Sequence, residues 1–151
     1  MQMISTERLR RFPIFSGLDE GTLRELAMAG REDSFARGEI LFEEGQPAEE
    51  LWLLTAGEAD LRVVLPGGER RTVDTAVAGD LLVWSAVVPP HRMHLEGVAR
   101  TDARALRFRA DRVRELMERD PSFGYRLMRA VAGALCHRLE GTQTLLAVRV
   151  P

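Results

Sequence analysis

The sequence predicts a mainly β domain flanked by helices at both ends. Three observations carry this. Residues 31–108 break into short strand-like runs separated by glycine, residues 5–29 read as two short helices, and residues 111–147 hold an apolar repeat of helical period.

The first helix is expected over residues 5–12, capped by Ser5 or Thr6 and stopped by Pro13. Ser16-Gly17 is a turn signal. Asp19 can cap a second helix through about Ala29, with Leu23, Leu26 and Ala27 as its apolar stripe. Ser34–Phe35, Ile40–Phe42, Leu51–Thr55, Ala59–Leu65 and Arg71–Thr75 then read as strands. Leu61, Val63 and Leu65 alternate with Asp60, Arg62 and Val64, the pattern of a half-buried strand. Pro66-Gly67-Gly68 turns the chain into a strand starting near Arg70, which makes a hairpin. Short strands at this spacing form a roll, a barrel or a sandwich.

Residues 80–88 are an apolar run long enough for one or two helical turns. Met93–Ala99 and Ala103–Phe108 return to strand character. A helix is expected from Asp111 to Arg119. Asp120 then caps a last helix that opens on Pro121. Its apolar residues Phe123, Leu127, Val131, Leu135, Leu139, Thr142 and Leu146 recur every three or four positions over about seven turns.

The composition excludes several function classes. At 151 residues, 45% hydrophobic and 29% charged, the chain has the size and make-up of one domain with one buried core. Its net charge of -2 supplies no basic field for nucleic acid. Every one of its 21 basic side chains is an arginine, scattered along the sequence, which reads as a composition bias rather than as chemistry. The single Cys136 cannot close an internal disulfide or hold an iron–sulfur cluster. The opening MQMISTERLRRF lacks the apolar core of a signal peptide, and no window is apolar enough to span a bilayer. A cytoplasmic location with no membrane contact is expected.

Three phrases in order resemble the cyclic-nucleotide-binding domain family of catabolite-activator-like proteins. They are Leu9-Arg-Arg-Phe-Pro-Ile-Phe-Ser-Gly-Leu, Phe35-Ala-Arg-Gly-Glu-Ile-Leu-Phe-Glu-Glu-Gly and Leu51-Trp-Leu-Leu-Thr-Ala-Gly-Glu-Ala. The resemblance implies a double-stranded β-helix, a jelly-roll-like β-roll, with N-terminal helices and a long C-terminal dimerisation helix. It covers roughly residues 9–146 of a single domain expected over 1–151: helices in 1–30, the roll in 31–108, a short helix in 109–119 and the dimer helix in 121–147.

Members of that family hold a cyclic phosphate in a cassette. A short helix points free N–H groups at the phosphate, an arginine pairs with its charge, and a glutamate meets the ribose. The corresponding stretch here is Gly79-Asp80-Leu81-Leu82-Val83-Trp84-Ser85-Ala86-Val87-Val88-Pro89-Pro90-His91-Arg92-Met93-His94. The resemblance implies a ligand site at Gly79, Asp80, Leu81, Leu82, Arg92 and Met93, with cAMP or cGMP as the ligand. Asp80 stands where glutamate is expected, and Met93 where a hydroxyl should help hold the phosphate. Trp84-Ser85 and the double proline are similar to a divergent bacterial branch with a "GWSWL…PPYRW" cassette.

Each candidate has a plainer reading. Arg92 is also a solvated or salt-bridged loop arginine, Asp80 a cap on the short helix after it, and Trp84 a core residue or pocket filler. His91, His94 and Glu96 invite a cupin-type metal reading. In a strand, however, the two histidines face opposite sides, and the remaining histidine, His137, lies on the last helix. No metal site and no catalytic residue are expected. The arginines at 100, 104, 107, 109, 112 and 114 interleave with Asp102, Asp111, Glu115 and Glu118, as on a mixed solvated face.

A long amphipathic last helix favours a homodimer through Phe123, Leu127, Val131, Leu135 and Leu139, with Gly133 and Gly141 allowing close helix approach. The expected function is therefore a stand-alone, non-enzymatic regulatory sensor. It binds a small anion and signals through a partner protein, without reading DNA itself. The alternatives are a degenerate, non-binding homologue and a cupin-type metalloenzyme.

Overall fold

The computed structural model describes residues 3–149, so both ends of the expected 1–151 domain lie outside the described residues. In chain order the elements are α1 (Thr6–Arg10), α2 (Glu20–Met28), β1 (Gly30–Phe35), β2 (Ile40–Phe42), β3 (Glu50–Ala56), β4 (Ala59–Val64), β5 (Arg70–Ala76) and β6 (Leu81–Val83). A 3-10 turn (Ser85–Val87), β7 (Glu96–Ala99), β8 (Ala103–Arg109), α3 (Ala110–Arg119) and α4 (Pro121–Arg149) follow.

The helix starts are set by local chemistry. Ser5 accepts from the Arg8 N–H at 3.2 Å and Asp19 from the Thr22 N–H at 2.7 Å. That bond from Thr22 holds the Asp19 carboxyl below its ordinary value. The Phe123 N–H reaches Asp120 at 3.3 Å, as expected for a cap ahead of Pro121.

Eight strands form two antiparallel four-stranded sheets, in the orders β1-β8-β3-β6 and β2-β7-β4-β5. They close into the β-roll, so the alternatives of barrel and sandwich fall away. β1 runs from Gly30 to Phe35, longer than the expected Ser34–Phe35. Its residues show no apolar alternation, and its register on β8, Gly30 opposite Phe108 through Phe35 opposite Ala103, is what makes it a strand.

β3 is buried on both faces, which is why it reads as a continuous apolar run. Trp52 and Leu54 point into the roll, with Phe42, Leu61, Leu82, Met93 and Leu95. Leu51 and Leu53 point outward, with Leu106 and Phe108, against Leu9, Phe15, Leu23, Val113, Phe123 and Leu127 of the helical layer. Phe15 meets Phe108 edge to face at 5.5 Å between centroids. The domain thus has two cores, one inside the roll and one between the roll and its helices.

Gly57 shows how tightly the β3–β4 turn is built. Its φ is +78°, and a Cβ there would lie 2.1 Å from the Asp102 carbonyl oxygen. Both the conformation and the contact demand glycine. Gly57→Ala is expected to cost at least about 2 kcal/mol in denaturant unfolding, and a loss under ~0.5 kcal/mol would contradict this.

The arginine-rich stretch is a paired face. Arg107 meets Asp33 at 2.8 Å and Glu50 at 2.7 Å and lies over the Trp52 ring at 4.0 Å, while Arg109 meets Asp111 and Arg112 meets Glu115. Among the described residues, no helix is long and apolar enough to cross a membrane.

Candidate functional site

The expected cassette divides into three pieces. Gly79 and Asp80 close a turn: the Val77 N–H donates to the Asp80 carboxylate at 2.9 Å, and the Asp80 N–H donates to the Val77 carbonyl at 3.0 Å. Asp80 therefore caps no helix, because a strand follows it. Leu81 and Leu82 are buried in β6, which pairs with β3 through Leu81 and Val83, so the apolar run 80–88 is a strand and then a single 3-10 turn. The free N–H groups at the head of that turn begin at Ser85, five residues beyond Asp80.

Arg92 and Met93 lie on the loop and strand bridge that follow the 3-10 turn. Arg92 is exposed, and its Nη1 donates to the Gly45 carbonyl at 2.9 Å. That bond ties the side chain to the loop at Gly45. Met93 is buried inside the roll, and its backbone bonds to Gln46 and Gly45 at 2.8 and 2.9 Å.

Trp84 occupies the place between β6 and the 3-10 turn. It is 5% exposed, and its ring stacks on the His94 imidazole at 5.3 Å with planes 25° apart. The space left between Trp84, Leu82, Met93, Leu95, Phe42 and Arg138 is about 10 Å³, barely room for one water. The roll interior beside the 3-10 turn is closed by its own side chains.

The three residues of the metal reading go to separate partners. His91 Nδ1 lies 3.0 Å from the Ser85 carbonyl, His94 lies on Trp84, and Glu96 meets Arg62 at 2.6 Å and Arg70 at 3.0 Å. Among the described residues, no three His, Cys, Asp or Glu side chains form a metal-ligand group.

The residues that sequence reasoning missed are on α4, which lies across the side of the roll where β5 and β6 form the sheet edges. His137 Nε2 lies 3.3 Å from the Asp74 carboxylate of β5. The Arg138 guanidinium lies 5.3 Å from the Trp84 ring centroid, and its Nε is buried without a hydrogen-bond partner. Burial pushes the Arg138 guanidinium below its ordinary value, and Asp74 offsets part of this. A groove of about 560 Å³ runs beside these residues, between α4, the turn from β5 to β6, and the loop at Phe12–Ile14.

Arg138 had a sequence signal. It falls four residues after Ala134 and seven after Val131, on the inward side of the helix, where a charge is out of place.

The expected dimer seam is divided in the same way. Phe123, Leu127 and Val131 are buried in the chain's own core at 0%, 0% and 1% exposure, whereas Leu135 and Leu139 are 40% and 57% exposed. The reason is helical drift. A step of four residues overshoots a full turn by about 40°, so the stripe winds from the inward face to the outward one. Met128, Ala132, Leu135, Leu139, Thr142 and Leu146 alternate steps of four and three, which holds one face, and all but the half-buried Thr142 are exposed. Gly141 serves a close approach to the roll, not to a partner helix: its Cβ would lie 2.8 Å from the Val73 carbonyl of β5. Nothing lies within 4 Å of a Cβ at Gly133.

Known proteins match this geometry. The chain is 23% identical over 145 residues to the CRP-like cAMP-activated global transcriptional regulator of Mycobacterium tuberculosis, covering 96% of this chain and 65% of that protein. It thus spans about two thirds of the length of the curated relatives it matches. A solved structure from Geobacter metallireducens assigned to the cyclic nucleotide-binding proteins superposes with a TM-score of 0.78 at 31% identity, over 91% of this chain and 99% of the other. The regulatory domain of Toxoplasma gondii PKA, solved with cAMP, shares the fold at TM-score 0.63 and 22% identity, over 73% of this chain and 42% of the other. The family model for the cyclic nucleotide-binding domain matches residues 32–120, from β1 to the end of α3. With that match over more than half its length, this chain belongs to the cyclic nucleotide-binding domain family.

Proposed function

We propose that this chain is a cytoplasmic, non-enzymatic regulatory sensor that works as a homodimer through α4 and responds to a small anion held between the roll and that helix. The observation that carries this reading is the double use of α4. Its inward side covers the core and reaches Trp84 and Asp74 through Arg138 and His137. Its outward side exposes Met128, Leu135, Leu139 and Leu146 in steps that suit a second helix. A ligand that moves α4 on the roll would move the dimer seam with it, and a protein partner could read that change.

Cyclic nucleotides are the family's ligand class, and cAMP or cGMP would require the side chains around Trp84 and Met93 to open. The closed interior also favours a second reading, a degenerate homologue that keeps the fold and the dimer without a ligand. Calorimetric titration with cAMP and cGMP, run beside light scattering of the same samples, separates them. Binding of either nucleotide supports a sensor of that ligand class. A dimer that binds neither excludes that class, and one that also binds no other small anion supports the degenerate reading; a monomer at micromolar concentration contradicts both.

A further inference from the structure

Arg138 is a cation without a carboxylate of its own. Among the described residues, no carboxylate lies within 4 Å of its guanidinium, and its Nε is buried and unbonded. Leaving such a group unsatisfied costs free energy that a bound anion would recover. The nearby acids are already committed. Asp74 accepts from the Thr75 N–H at 2.9 Å and faces His137, and Asp80 accepts from the Val77 N–H.

Arg138 is one of the residues lining the 560 Å³ groove, whose volume falls in the range of small-molecule sites. Ile14, Leu53, Leu81, Ala130 and Ala134 give that groove an apolar wall. One unspent cation at an apolar wall selects an amphipathic anion. Asp74 and Asp80 on the same rim oppose a dianion such as a phosphate monoester, so a single negative charge fits better.

We propose that the groove between α4 and the β5–β6 turn binds a small carboxylate with an apolar body, its carboxylate on Arg138 and its body against Leu53, Leu81 and Ala130. This rests on the reading of the chain as a small-anion sensor and moves the ligand's seat from the cassette to α4. The carboxylate would draw the guanidinium away from Trp84, so binding has an optical readout.

The experiment titrates octanoate, octanol, cAMP and inorganic phosphate into the full chain, followed by calorimetry and tryptophan fluorescence. Trp84→Phe separates the signal of Trp84 from that of Trp52. The expected result is saturable octanoate binding that perturbs Trp84 emission, at least about tenfold tighter than octanol and weakened at least about tenfold by Arg138→Met. The comparison of octanoate with octanol uses unaltered protein, so it stands even if the variant fails to fold. No octanoate binding, equal affinity for octanol, or unchanged affinity in a folded Arg138→Met protein would each overturn the inference. Binding of cAMP alone would overturn it too, while leaving the sensor reading intact. Phosphate binding tighter than octanoate would overturn the choice of a monoanion.

Discussion

Leu135→Asp is expected to turn a dimer into a folded monomer. Leu135 is 40% exposed in the single chain, so the aspartate remains hydrated in the monomer and becomes buried only at the seam. Each subunit would bring one such charge to the interface. An unpaired buried charge or polar group costs several kcal/mol, which is more than a hundredfold in dissociation constant. Leu139→Asp, at 57% exposure, is expected to behave alike. Val131→Asp is the contrast: Val131 is 1% exposed within the chain's own core, so its replacement unfolds the domain rather than splitting the dimer. Light scattering and thermal melts together check this. Wild-type protein that runs as a monomer at micromolar concentration, or Leu135→Asp protein that stays dimeric, would contradict it.

Trp84→Ala carries the second large effect. The ring is 5% exposed and packs between His94 and Arg138, in the core between the roll and its helices. Removing it leaves a cavity and is expected to destabilise the domain by about 3–5 kcal/mol in denaturant unfolding. The same change enlarges the space beside Leu82 and Met93, where the cassette reading seats the nucleotide. Affinity for cAMP should therefore rise in whatever fraction stays folded. A fall would mean that Trp84 is a stacking platform for a base and not a plug.

The fold was legible where local chemistry and burial pattern agree. Asp19 and Asp120 mark helix starts by their own side chains, and β3 announces its two buried faces through Leu51, Trp52, Leu53 and Leu54. β1 was only partly legible, because Arg31, Glu32 and Asp33 are drawn into a strand by β8 and by ion pairs such as that of Asp33 with Arg107. The run 80–88 was ambiguous because strand and helical turn share the same apolar residues over so short a length.

The site was less legible than the fold. Arg92 has the family's position, yet whether it faces a pocket or the Gly45 carbonyl depends on a loop conformation that spacing does not encode. The four-residue steps from Phe123 to Leu139 looked like one face, although the helix turns about 40° beneath each step. Arg138 stands as a charge on the inward register of α4, but only packing reveals that no carboxylate among the described residues pairs with it.

Titration of cAMP into wild-type protein and Arg92→Ala side by side tests the closed cassette most directly. With about 10 Å³ left beside Trp84 and Arg92 tied to the Gly45 carbonyl, the expected dissociation constant is above about 100 μM and the same within about twofold in the variant. Micromolar binding that Arg92→Ala weakens tenfold or more would contradict the closed cassette and return the ligand's phosphate to Arg92.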